Sequence, residues 1–203
     1  MKLSVRRAEL FPLSLKMILS HFSIALLLLG SPHSSLVCAA NPITQAKRQA
    51  DSSDPIPAIR QRFTAINRNL KRYKLIKKSL SGFSAEGGEL VAYRDGQAIV
   101  KIVANYYGET GRTVEEYYYA DGKLIFAFRK ESTYDRPLSG KIVSTKENRF
   151  YFQDLKLIKW INEDGKEVPS TDSEFSSQQK DYLDTSQLFL KGARSKASTI
   201  EAP

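Results

Sequence analysis

The chain has 203 residues, a formal net charge of +9, two histidines and one cysteine. His21, His33 and Cys38 all lie in the first forty residues, so the rest of the chain carries neither imidazole nor thiol. That excludes from the remainder a Ser-His-Asp triad, a histidine general base, a thiolate nucleophile and cysteine-based zinc or iron–sulfur ligation.

In chain order, Lys2, Arg6, Arg7 and Lys16 lead into an apolar run over 17–29, and small residues follow at Cys38-Ala39-Ala40. This pattern predicts a cleaved secretory signal over 1–40, cut after Ala39 or Ala40. The run has thirteen residues broken by Ser20, His21 and Ser23, short of the about 20 a membrane span needs. Arg6-Arg7 resembles a twin-arginine signal, but Ala8-Glu9 stand where that motif wants a large apolar residue. Cys38 offers a lipidation reading, with Val37 where such signals want Gly, Ala or Ser. The expectation is export to a periplasmic or extracellular location, with no transmembrane segment after cleavage. A chain so processed holds no disulfide and relies on packing alone, even in an oxidising compartment.

The signal contains four basic residues and one acidic, which is +3 of the +9 and leaves +6. Residues 56–80 hold eight cations (Arg60, Arg62, Arg68, Lys71, Arg72, Lys74, Lys77 and Lys78) and no acid, whereas residues 81–203 hold seventeen basic and nineteen acidic. The surplus therefore belongs to one segment.

Residues 41–55, with Pro42, Pro55 and Ser52-Ser53-Asp54, read as a flexible lead. Ile59, Phe63, Ile66, Leu70 and Tyr73 recur in steps of 4, 3, 4 and 3, which predicts one amphipathic helix over 56–80. Asp54-Pro55 supply its start and Ser81-Gly82 its stop.

From Glu89 the period changes to two. Asp95-Gly96 and Asp121-Gly122 each separate two alternating runs, as in two-residue hairpins, and Asp164-Gly165 follows 157–161. Pairing Ala120 with Lys123 sets Tyr119 opposite Leu124, Tyr117 opposite Phe126 and Glu115 opposite Phe128 on one face. Tyr118 with Ile125 and Glu116 with Ala127 fall on the other. The unit Tyr93-Arg94-Asp95-Gly96-Gln97-Ala98-Ile99 recurs from Tyr119 and from Phe152, spaced by 26 and 33. The third copy has Leu155 in the glycine position, which predicts a different turn there because a positive φ is costly for leucine. Such unequal spacing argues for a meander of hairpins rather than a solenoid. Thr171-Asp172-Ser173 caps a second helix over 173–190 with a thin face of Phe175, Tyr182 and Phe189, and 191–203 reads as a disordered tail. The expected fold is one α+β domain over 56–190: an antiparallel meander of about six to eight strands, hairpins over 89–168, the N-terminal helix packed on it and a shorter C-terminal helix.

No phosphate-binding loop, dinucleotide fingerprint or calcium loop is present, and no cofactor or metal is expected. Three features bear chemistry. Glu115-Glu116 pairs two carboxylates of the kind used on glycosidic bonds, yet neighbours on a strand point to opposite faces, so Glu109 or Asp121 would have to be the partner. Ser139-Gly140-Lys141 places serine and lysine together in what reads as an ordinary loop. The basic segment, with Arg68, Lys71, Arg72 and Lys74 at its centre, can sit on an anionic envelope component or an acidic protein while its apolar stripe docks on the sheet. Specific nucleic acid is a poor partner after export. Tyr117 and Tyr119 are expected in the core. Tyr118 and one of Tyr106 and Tyr107 belong to the opposite face, a binding surface if no helix covers it; the candidate contacts are Tyr106 and Tyr118.

The strings Gly82-Phe83-Ser84-Ala85-Glu86-Gly87-Gly88-Glu89-Leu90 and Tyr106-Tyr107-Gly108-Glu109-Thr110-Gly111, running on to Glu115-Glu116-Tyr117-Tyr118-Tyr119, resemble a group of exported bacterial proteins built as a signal and one compact domain. The resemblance covers about residues 56–168 and implies bacterial export without an assigned activity. Tyr118-Tyr119-Ala120-Asp121-Gly122-Lys123-Leu124 is also similar to MORN-type hairpin repeats, although the further glycines of that repeat are absent. The expected function is an exported, non-enzymatic binding or interaction module of the bacterial cell envelope. The alternatives are a carboxylate-dependent glycan hydrolase or lyase, and a structural envelope protein.

Overall fold

The computed structural model describes residues 54–203. The expected signal over 1–40, and all but the last two residues of the expected lead over 41–55, lie outside the described residues. The chain is an α+β fold. A first helix, α1 (Ile56–Arg68), and a single 3₁₀ turn (Leu70–Arg72) precede eight strands in succession. These are β1 (Lys74–Ser81), β2 (Gly88–Asp95), β3 (Ala98–Gly108), β4 (Gly111–Ala120), β5 (Lys123–Tyr134), β6 (Ile142–Gln153), β7 (Lys156–Ile161) and β8 (Glu167–Val168). A long helix, α2 (Ser173–Arg194), and a final strand, β9 (Thr199–Glu201), complete it. All strands form one open sheet in the order β8-β7-β6-β5-β4-β3-β2-β1-β9, antiparallel throughout except that β9 runs parallel to β1.

The two helices lie on opposite faces. Tyr117 and Tyr118 are adjacent on β4 and so point opposite ways. Tyr117 meets Phe189 and Tyr182 of α2, while Tyr118 meets Phe63 of α1. The α2 face carries the larger core, including Leu90, Ile102, Tyr117, Tyr119, Phe150, Phe152, Trp160 and Phe189. The α1 face carries Ile56, Ile59, Ile66, Val100, Tyr118, Phe126 and Tyr151.

The first helix is shorter than the periodicity predicts. It ends at Arg68, and residues 74–80, expected to be helical, belong to strand β1. The stripe nevertheless holds: Leu70 and Tyr73 pack with Phe63 against the α1-face core, because a 3₁₀ turn keeps residues three apart on one side. At the other end α2 runs four residues past the expected 190, with the Asp172 side chain accepting from the Glu174 N–H at 2.9 Å as its cap. The expected tail is ordered into β9. Ile200 is buried and packs on Gly192 of α2, where an added Cβ would press on the Ile200 side chain.

The middle hairpin departs from the expected register. Ala120 pairs with Lys123 and Tyr119 with Leu124, but a bulge at Ile125 then shifts the ladder, so Tyr118 faces Phe126, Tyr117 faces Ala127 and Glu115 faces Arg129. The same irregularity recurs at Val100, where Tyr93 faces Lys101, and at Ile158, where Tyr151 faces Lys159. The structural repeat is thus spaced by 25 and 33 residues rather than 26 and 33. The first turn is Gly96-Gln97, one position later than Asp95-Gly96, with Asp95 paired to Ala98. In the third, Asp154 and Leu155 both take positive φ (47° and 64°), as Asp121 and Gly122 do. Leu155 therefore adopts the same turn type as the middle hairpin, at a cost of about 1–2 kcal/mol.

Candidate functional site

Strand alternation sends Thr113, Glu115, Tyr117 and Tyr119 to the α2 face, and Tyr106 of β3 pairs with Thr113. The bulge at Ile125 sets Arg129 of β5 opposite Glu115; without it Phe128 would occupy that place. On α2, Gln178, Asp181, Tyr182 and Thr185 follow the spacing of one helical face and look down on these strands. Phe83, in the loop after β1, closes one side against Tyr106 and Phe189, with ring centroids 6.2 and 5.6 Å apart. Together they bound an open cleft of about 400 Å³.

At its floor Glu115 is 8% exposed. Its Oε2 accepts from the hydroxyls of Tyr117 (2.7 Å) and Tyr106 (3.0 Å), and Arg129 Nη1 lies 3.8 Å from Oε1. Arg129 Nη2 in turn pairs with Glu131 at 2.5 Å. Burial opposes the Arg129 charge, but the carboxylates of Glu115 and Glu131 outweigh it and hold the guanidinium above its ordinary range. Burial, followed by the charge of Glu115, pushes the hydroxyls of Tyr106, Tyr117 and Tyr182 well above the usual phenol value. These tyrosines are therefore neutral donors and poor bases. Two buried polar atoms of the cleft, Tyr182 Oη and Arg129 Nε, have no hydrogen-bond partner. The guanidinium is near enough to lower the Tyr182 pKa somewhat, yet the Oη geometry does not meet that of a hydrogen bond.

The other carboxylate, Glu116, serves the α1 face. It pairs at 3.0 Å with Lys101, whose side chain is 6% exposed, and accepts from the Tyr118 hydroxyl. Asn67 of α1 completes the set: its Oδ1 accepts from Lys101 Nζ at 3.1 Å and its Nδ2 donates to Tyr118 Oη at 3.1 Å. Lys101 Nζ also sits 4.8 Å from the Tyr118 ring centre. Burial lowers the Lys101 pKa, with the charge of Glu116 acting against that. The two glutamates thus point to opposite faces, as strand alternation predicts: Glu115 is buried on the α2 face and Glu116 is ion-paired on the α1 face.

The candidate contacts divide accordingly. Tyr118 is buried beneath α1 and is not an exposed contact, because a helix covers that part of its face. Tyr106 shares the face of Tyr117 and lines the cleft, leaving Tyr107, 39% exposed, with Tyr118 on the other. Arg68, Lys71, Arg72 and Lys74 run from the end of α1 through the 3₁₀ turn to the start of β1, all exposed. With Arg60, Arg62 and Lys77, which are exposed too, they make a basic belt along the sequence in which, among the described residues, no cation makes an ion pair. By contrast Lys101, Lys123, Arg129, Lys130, Lys141, Lys146, Arg149, Lys159 and Lys180 each pair with a carboxylate. Lys78 leaves the belt to donate to the carbonyls of Ser195 and Ala197. In the loop after β5, Ser139 and Lys141 both bind Asp135 and are not joined as a catalytic pair.

Arg129, Asp181 and Lys101 are not singled out by sequence, and Tyr182 only as part of the apolar face of the second helix. The i, i+3, i+4, i+7 pattern of Gln178, Asp181, Tyr182 and Thr185 was the available signal for the cleft wall. Among the described residues no group of three or more His, Cys, Asp or Glu side chains could hold a metal ion, and no helix is long and apolar enough to cross a membrane. No family model matches the chain, and no curated protein or solved structure matches it either.

Proposed function

We propose that the protein is an exported, non-enzymatic binding module of the bacterial cell envelope, and that it holds to an anionic envelope component through the basic belt. The observation that carries the reading is the contrast in charge pairing. Nine of the seventeen cations in residues 81–203 lie within 4.0 Å of a carboxylate, whereas Arg60, Arg62, Arg68, Lys71, Arg72, Lys74 and Lys77 are exposed and none of the seven does. Charges so arranged keep their full long-range field and attract a phosphate- or carboxylate-bearing surface. Leu75, 53% exposed in the middle of the belt, adds an apolar contact. The signal-like N-terminal segment supports export, and with it the compartment.

The test is co-sedimentation of the purified protein with anionic vesicles, lipopolysaccharide and isolated cell wall across a salt series. Binding to at least one of them should weaken steeply with salt. Replacing Arg68, Lys71, Arg72 and Lys74 by glutamine should lower the affinity by about a hundredfold or more. No binding at low salt, or binding that the fourfold variant retains, would remove the belt as the working surface.

The hydrolase alternative has one observation in its favour, since Glu115 and Asp181 both line the α2-face cleft. Against it, Glu115 is already engaged by two hydroxyls and an arginine, and the neighbouring tyrosines are held neutral.

A further inference from the structure

We propose that the cleft between α2 and strands β3–β5 is a binding site for a neutral saccharide. This site lies on the face opposite α1 and goes beyond the reading of the belt. Four features of the cleft converge on that ligand class.

Its floor is preorganised. Glu115 is 8% exposed and fixed by Tyr106 and Tyr117 at Oε2, which leaves lone pairs of Oε1 to accept from a ligand. Free donors stand beside it: Tyr182, 4% exposed, has an unpartnered hydroxyl, and Arg129 Nε is likewise buried and unpartnered. Buried polar atoms without partners are costly, and of the three among the described residues two, Tyr182 Oη and Arg129 Nε, line this cleft, the third being Arg94 Nε outside it. The wall adds Asp181, Gln178 and Thr185, groups that accept, donate or do both. A mixture of closely spaced donors and acceptors fits hydroxyl groups, each of which needs both, better than it fits a carbonyl or an amine alone.

Charge narrows the class. Glu115 and Asp181 line the cleft against one cation, Arg129, which Glu115 and Glu131 share. With Glu115, Glu131 and Asp181 around that single cation the cleft carries a net negative charge, so acidic sugars and phosphates are disfavoured. The Phe83 and Tyr106 rings offer apolar surface at one side for the C–H face of a sugar ring. The volume of about 400 Å³ falls in the ordinary range of small-molecule sites, roughly 300–1,000 Å³.

The experiment is calorimetric titration of the purified protein with cellobiose, maltose and diacetylchitobiose as neutral probes and galacturonic acid as the anionic one. At least one neutral disaccharide should bind. Tyr182→Phe, which removes only the unpartnered hydroxyl, should weaken it about tenfold without lowering the melting temperature. Glu115→Gln should weaken it at least as much, and the fourfold belt variant should leave it unchanged, so failure here is distinct from failure of the belt. The proposal is overturned if no neutral probe binds, if galacturonic acid alone binds, or if Tyr182→Phe binds as the wild type does. Cleavage of the disaccharide during the titration would also overturn it, by making the cleft a cleaving site.

Discussion

Two adjacent residues of β4 open onto opposite designs. Glu116 on the α1 face belongs to a closed set: Lys101, Asn67 and Tyr118 satisfy one another, and the network fastens α1 to the sheet. Glu115 on the α2 face belongs to an open one, in which Tyr106, Tyr117 and Arg129 fix the carboxylate while Tyr182 Oη and Arg129 Nε keep unused capacity. A saturated polar network specifies structure; a half-saturated one in a cleft is a place for something else to bind. The same strand thus supplies a latch and a site, and period-two alternation is what separates them.

High pH should break both networks at once, and this is the largest effect expected. Burial is the first cause that raises the phenol pKa values of Tyr106, Tyr117, Tyr118, Tyr119 and Tyr182 above 10.0. Between 10.0 and those folded values the unfolded chain loses phenolic protons that the native chain keeps. The native state then binds more protons, and stability falls as pH rises. Each such tyrosine withholds roughly 1 kcal/mol per pH unit in that window, so the group together withdraws several kcal/mol, of the order of a domain's whole stability. Tyrosinate absorbance and far-ultraviolet circular dichroism should change together. Stepwise ionisation of these tyrosines in a still-folded chain would show that the networks are not sealed.

The closed network alone is tested by Glu116→Ala. It leaves the Lys101 ammonium buried without its carboxylate, and the expected loss is about 3 kcal/mol in urea denaturation at neutral pH. The deficit should shrink toward high pH, up to the onset of tyrosine ionisation. The folded Lys101 pKa lies below 10.5, so across that window the unfolded chain binds more protons and stability rises with pH. Removing Glu116 widens the window. A loss under about 1 kcal/mol, with no pH dependence, would mean that the latch is ornamental.

The latch and the site differ also in how far they can be read from sequence. The α+β class, the antiparallel meander, the Asp121-Gly122 turn and the apolar stripe of α1 follow from periodicity and turn chemistry, and the basic belt follows from counting charges. The opposite orientation of Glu115 and Glu116 follows from alternation. The Glu115–Arg129 pair does not, because it depends on the bulge at Ile125, and nothing in Leu124-Ile125-Phe126 distinguishes a bulged from a regular strand. The burial of Tyr118 likewise needs knowledge that α1 and α2 take different faces, which strand alternation alone cannot assign. β1 is hidden because its Ile76 and Leu80 continue, in steps of 3 and 4, a stripe that already reads as helix, and β9 is too short to show a period.

The sharpest test of the comparison is a pair of single-atom deletions with opposite expected signs. Tyr118→Phe removes a hydroxyl that donates to Glu116 and accepts from Asn67. The partners are left in a largely buried site, so stability should fall by about 1–2 kcal/mol. Tyr182→Phe removes a hydroxyl that is equally buried but unpartnered. Nothing is stranded and the desolvation cost of the lone hydroxyl disappears, so stability should hold or rise by up to about 1 kcal/mol. Urea midpoints of the two variants measured side by side would separate the networks, since both substitutions delete the same atom from a buried ring, one on β4 and one of α2 packed against it. Equal losses in both would mean that Tyr182 has a partner in solution without any added ligand, and the distinction between a closed latch and an open site would collapse.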